Sequence, residues 1–177
     1  MTLDELIDYT ENFVTDWQNV HGFAPKDTAD AMDKVILKNI LDMTKTLSIW
    51  FDKNELSDGE KILAAINIGA LAEAWLRILL IIWLRDYNNS QYKTKKYDCL
   101  TFEKVIDFYK KENVLYRTDP NIFTWLDDIR RSRNTVHLCS ENKIYNDFDL
   151  IKDFNLLCDL VDNISDQIPP MPSDGYF

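Results

Sequence analysis

Glycine, proline, cysteine and histidine are all scarce in this 177-residue chain: it has four glycines, five prolines, three cysteines and two histidines. So few turn-formers exclude a fold of many short strands joined by tight turns, and leave a few long elements instead. Cys99, Cys139 and Cys158 are odd in number and lack the Cys-x-x-Cys spacing of a zinc knuckle or a dithiol motif. They read as reduced thiols in a cytoplasmic protein rather than as a disulfide framework or a zinc site. With only His21 and His137 present, a histidine-rich metal centre is excluded, and no metal or cofactor is expected. Glycine-rich phosphate loops and Gly-x-Ser-x-Gly elbows are also missing.

Net charge is -10, from 20 basic and 30 acidic side chains, which argues against a general nucleic-acid coat protein. The distribution is uneven. Residues 1–60 carry 5 basic and 13 acidic side chains, and residues 146–177 carry 1 and 7. Residues 61–145 carry 14 and 10, with clusters at Lys93, Lys95 and Lys96 and at Arg130, Arg131 and Arg133. Such runs are ordinarily solvated faces, and only their geometry can give them a further meaning.

What is abundant is helical periodicity. Thr2 and Glu5 make a capping box that opens a helix to about Asn19, with Leu3, Leu6, Ile7, Phe13, Val14 and Trp17 as its stripe. A second helix is predicted over Asp27–Phe51. Ser57 and Glu60 form another capping box and start a third, very apolar helix to about Tyr87. After a polar loop, Thr101 caps a helix to about Glu112. Asp119-Pro120 then opens a helix that carries Ile122, Trp125, Ile129 and Val136. A last helix covers about Asp147–Gln167, and Pro169, Pro170 and Pro172 set an extended tail. The expectation is all-α: one helical bundle of about six helices over residues 1–168, with residues 169–177 as tail.

The third helix is long enough to span a bilayer. Asn67, Glu73 and Arg77 interrupt it, and each charge at a membrane centre would cost roughly 2.5–3.5 kcal/mol. Glu73 and Arg77 are spaced to pair along one helix face. A buried central helix is the better reading, and no membrane is expected.

One constellation bears on chemistry: Ile129-Arg-Arg-Ser-Arg-Asn-Thr-Val-His137. At about 100° per residue from Arg130, Asn134 falls near 40°, Arg133 near 300° and His137 near 340°. Ile122, Trp125, Ile129 and Val136 fall near 220–280° on the same count, so the polar quartet borders the buried stripe. Glu73, from the central helix, could either pair with Arg77 alone or hold Arg130 or Arg133 in place. His21, just after the first helix, reads as a helix-end residue.

Arg-Asn-x-x-His, preceded by further arginines late in an all-helical chain, resembles the HEPN superfamily, whose hallmark is an Arg separated from a His by four to six intervening residues. The resemblance covers roughly Ser57 to Ile168. Three residues separate Arg133 from His137, five separate Arg131, and six separate Arg130. The family's arginine therefore maps onto Arg130 or Arg131, with Arg133-Asn134 as an adjunct, and the helical register favours Arg130.

The resemblance implies a HEPN-like bundle and a metal-independent endoribonuclease, often a toxin or phage-defence component. It also implies a homodimer whose paired motifs meet, and an antitoxin or nucleotidyltransferase partner. His137 would be the general base or acid, since imidazole titrates near neutrality. Arg130 or Arg133 would stabilise the phosphorane, and Asn134 would orient the phosphate or the imidazole. Two other classes fit the same residues. One is a module that binds RNA, a nucleotide or a protein without cleaving; the other is a structural homodimer knitted by Arg and Asn hydrogen bonds.

Overall fold

The computed structural model describes residues 1–115, 120–134 and 148–170, with Asn134 described through its backbone only. Among these residues the chain is helical throughout, with no strand and a single isolated bridge between His21 and Ala24. The elements are α1 (Leu3–Trp17), α2 (Lys26–Met32), α3 (Leu37–Thr46), α4 (Ser48–Phe51), α5 (Asp58–Ile82), α6 (Leu84–Asn89), a 3-10 turn at Tyr97–Cys99, α7 (Phe102–Glu112), α8 (Ile122–Asn134) and α9 (Leu150–Ser165). The all-α expectation holds.

Caps set the starts. Both reciprocal boxes form: Thr2 with Glu5 opens α1, and Ser57 with Glu60 opens α5. Thr101 accepts from the Lys104 N–H at the start of α7, and Asp149 accepts from the Lys152 N–H at the start of α9. At its end, α7 stops on Asn113 in the left-handed region (φ 53°), a conformation that asparagine tolerates.

Three boundaries differ from the sequence reading. The single helix expected over Asp27–Phe51 is broken into α2, α3 and α4. The first break, at Asp33–Ile36, lets α3 turn to pack on α1 and leaves Ile36 exposed. The expected Ser57–Tyr87 helix bends at Trp83 (φ -100°, ψ 36°), which separates α5 from α6. Helix α8 begins at Ile122, not Pro120, and its first turn closes with Trp125 N–H donating to Asn121 C=O at 2.9 Å.

Helix α5 is the axis of the bundle. Its main partners are α8 and α9, with α2, α3 and α7 completing its surroundings. Ile68, Leu71, Trp75, Leu76 and Leu79 on α5 are buried, as are Leu126 and Ile129 on α8 and Leu157 and Val161 on α9. It is also the one helix among the described residues that is long and apolar enough to cross a bilayer, and 72% of its apolar window is buried inside the protein. That burial fits the core-helix reading.

Two buried polar side chains, on α5 and α9, are matched, whereas Thr28 Oγ1 and the Tyr97 hydroxyl are buried without a hydrogen-bond partner among the described residues. With the Asn67 amide oriented to suit its neighbours, its nitrogen donates to Met43 C=O at 3.2 Å and its oxygen accepts from Trp50 Nε1 at 3.3 Å. Asp153 is fully buried. Its Oδ1 accepts from Trp125 Nε1 at 2.8 Å and its Oδ2 from the Asp149 N–H at 2.9 Å, which ties α9 to α8.

Candidate functional site

Helix α8 carries the arginines, and its buried stripe decides where they point. Ile122, Leu126 and Ile129 are all buried, and the next residue in that i, i+4, i+7 series is Arg133. On the count that places Arg130 at zero, Leu126 lies near 320°, so the stripe is wider than Ile122, Trp125 and Ile129 define and reaches Arg133. Arg133 therefore extends from the face that packs on α5 rather than from a groove edge.

What it meets there is Glu73. Glu73 Oε1 accepts from Arg77 Nε at 2.9 Å and from Arg77 Nη2 at 2.7 Å. The second carboxylate oxygen, Oε2, pairs with Arg133 Nη1. Arg77 Nη2 also donates to Leu100 C=O at 2.7 Å, which fastens the loop after α6 to the same cluster. The Glu73 side chain is 12% exposed, against 32% for Arg77 and 39% for Arg133. Burial draws the Arg77 guanidinium below its ordinary pKa, yet far from losing its charge near neutrality. Glu73 thus pairs with Arg77 and holds Arg133 as well, rather than pairing with Arg77 alone.

The close approach of the helices has a local cause. Gly69 lies one turn before Glu73 on α5. A Cβ there would stand 3.3 Å from both Ile129 Cγ1 and Ile129 O, and 3.8 Å from Arg133 Cβ. A residue without a side chain lets α8 settle against α5 and brings Arg133 within reach of Glu73.

The other arginines are held more loosely. Arg130 Nε lies 3.4 Å from Asp127 Oδ1, with its side chain 20% exposed. Arg131 Nη1 lies 3.9 Å from Asp128 Oδ1 on the solvent side of α8. Asn134 is the last described residue of α8, and nothing beyond its backbone is described. His137 lies outside the described residues, so the register that places it beside Arg130 stays a sequence expectation. Cys139 and Asp119 lie outside them as well.

The remaining histidine stands elsewhere: His21, between α1 and α2, has Nε2 2.7 Å from Asp33 Oδ2. Among the described residues no group of three or more His, Cys, Asp or Glu side chains is placed to share a metal ion. Cys99 is an exposed free thiol. Cys158 is buried, and that burial pushes its pKa up to about 12, so it is inert as a nucleophile.

Two participants escaped the sequence reading. Gly69 was not singled out in the apolar run; its i, i+4, i+8 spacing with Glu73 and Arg77 was the available signal. Leu126 was omitted from the stripe, and with it the reason that Arg133 faces inward. Chemically, one carboxylate between two guanidiniums leaves one formal positive charge at the α5–α8 seam, with Arg130 on the adjoining edge. No protein-family model matches the chain, and no curated protein or solved structure is significantly similar to it.

Proposed function

We propose that this chain is a metal-independent endoribonuclease of HEPN type whose working residues run from Arg130 to His137. The observation that carries the reading is the Glu73 seat under Arg133. A guanidinium held by a part-buried carboxylate from a rigid central helix is pre-positioned, and pre-positioned cations are what a developing phosphorane needs. In this reading Arg130, on the adjoining edge of α8, takes the scissile phosphate, Asn134 orients it, and His137 moves the proton of the 2′-OH. One histidine per motif serves a single proton transfer; a two-fold homodimer with facing α8 helices supplies the second. The cytoplasm, with RNA as substrate and an antitoxin or nucleotidyltransferase as partner, is the setting proposed for it.

A second reading has its own support. Each of the three arginines already has a carboxylate within 4 Å, and the chain is strongly acidic overall. Both features weaken long-range attraction for RNA and suit a module that binds a nucleotide, an RNA or a protein without cleaving it.

Cleavage of a varied single-stranded RNA pool in EDTA decides between them. The enzyme reading expects products ending in 2′,3′-cyclic phosphate, no cleavage by His137→Ala, and a loss of roughly 10²–10³-fold for Arg130→Ala, as for one lost oxyanion donor. Light scattering at micromolar concentration should report a dimer. Absence of chelator-resistant cleavage, or its survival in His137→Ala, removes the enzyme and leaves the binding module.

A further inference from the structure

The bend at Trp83 opens a cavity of about 430 Å³ on the far side of α5 from its N-terminus, between α6, α7 and the end of α9. Its lining has an unusual composition. Trp83, 44% exposed, and the half-buried Phe108 contribute aromatic surface, while Leu79 and Val114 contribute aliphatic surface. Asp86 and Glu112 bring two carboxylates, and no lysine, arginine or histidine is among the described residues that line it.

Two helices end beside it: Glu112 is the last residue of α7, and Gln167 follows the end of α9. The last turn of α9 holds no basic residue, and Asp162 and Asp166 sit there instead. Lys110 and Lys111 in the last turn of α7 offset that helix's dipole, but neither lines the cavity. Trp83 is itself fixed, since its Nε1 donates to Gln167 C=O at 3.1 Å, and Ser90 Oγ donates to Glu112 Oε1. One Glu112 oxygen is therefore engaged by a neutral hydroxyl, and the carboxylate keeps its charge available.

Aromatic faces attract cations, indole most strongly, and carboxylates do the same by ordinary Coulomb attraction. A hydrated metal ion would gain nothing from the aliphatic walls between the charged groups. A molecule with methylene segments between ammonium groups uses both. We infer that this cavity binds an aliphatic polyamine, with ammonium groups at Asp86 and Glu112, methylenes along Leu79 and Val114, and one cationic end against Trp83. The site is about 15 Å along α5 from Glu73, by helical rise, and stands independently of the RNase reading.

The test is calorimetric titration of the full chain with spermidine at fixed physiological ionic strength, with tetramethylammonium and Mg²⁺ titrated separately. The expected result is saturable one-to-one binding of spermidine, weaker binding of tetramethylammonium, and no displacement of spermidine by equimolar Mg²⁺. Trp83→Leu and Glu112→Gln should each weaken spermidine about tenfold, the scale of a lost cation–π contact or charged hydrogen bond. Asp86→Asn, at an exposed position that leaves the fold intact, should weaken it about fivefold. Heat that does not saturate, displacement by equimolar Mg²⁺, or unchanged affinity in Asp86→Asn would each overturn the inference. RNA cleavage plays no part in any of these readouts.

Discussion

Glu73→Gln is the most informative single change in this molecule. The carboxylate uses one oxygen for Arg77 and the other for Arg133, so an amide can keep an acceptor for only one of them. Its nitrogen then faces a guanidinium, donor against donor. Arg77 is the closer partner in sequence and is also anchored at Leu100 C=O, so it keeps the acceptor and Arg133 loses it. Breaking a fully buried pair costs about 3–5 kcal/mol, and an exposed one costs up to about 1 kcal/mol. Here the acid is 12% exposed but the two bases are roughly a third exposed, so solvent screens the interaction and the cost falls between those limits. About 2–3 kcal/mol is expected, a fall in melting temperature of roughly 4–12 °C for a domain of this size.

Arg133→Met, which keeps an apolar stem in the seam, should cost less, about 1 kcal/mol, because Glu73 retains Arg77. The double-mutant cycle between the two positions should return a coupling of about 1–2 kcal/mol. Urea titrations with unchanged m-values supply all four corners. A Glu73→Gln variant within about 0.5 kcal/mol of the wild type, or a coupling indistinguishable from zero, would refute the shared-carboxylate account. The pre-positioned Arg133 on which the proposed RNase reading rests would fall with it.

Two further outcomes follow from particular contacts. Gly69→Ala should destabilise by about 1 kcal/mol, because its Cβ meets the Ile129 backbone oxygen at 3.3 Å and overpacking outweighs the helix-propensity gain. Gly59→Ala, with nothing within 4 Å, should stabilise by about 0.5 kcal/mol; thermal melts that show equal gains would remove the close approach as a constraint. Burial raises the Asp153 pKa above its ordinary value, so ionising this acid costs the folded state stability at neutral pH. That cost is relieved as pH falls through the folded pKa toward the unfolded one. The stability of the wild type relative to Asp153→Asn should therefore rise as pH is lowered from 7 to about 4, and a flat difference would contradict it.

The starts of the helices were the most legible part of the chain, because a capping box is local: Thr2 with Glu5 and Ser57 with Glu60 need no knowledge of the rest of the fold. The break between α2 and α3 was not legible. Met32, Val35, Ile36 and Ile40 keep helical spacing across it, and no glycine or proline marks it; it forms because α3 packs on α1, a tertiary demand. The bend at Trp83 is similar, since the run from Ile62 to Leu84 is apolar without interruption there. At the candidate site, the pairing of Glu73 with Arg77 could be read from i,i+4 spacing alone. That Arg133 would share the carboxylate depended on Leu126 widening the α8 stripe and on Gly69 clearing the approach, and the second condition is invisible without α8 in place. His137 and the Asn134 side chain carry the family resemblance, and they lie where the described structure stops.

Helix α5 has a consequence for how the chain is made. Its buried surface is covered chiefly by α8 and α9, which end 52 and 83 residues downstream of Ile82. At roughly 5–20 residues per second of synthesis, α5 leaves the ribosome several seconds before its cover exists. During that interval it is a largely apolar helix of membrane-spanning length without its covering partners. Glu73, Arg77 and Asn67 are then its only strongly polar groups past the first turn, and they mark the nascent helix as a core element before the core has formed. Substituting them with leucine would leave the helix composition fit for insertion, so the same carboxylate that seats Arg133 in the finished fold also raises the cost of placing this helix in a bilayer.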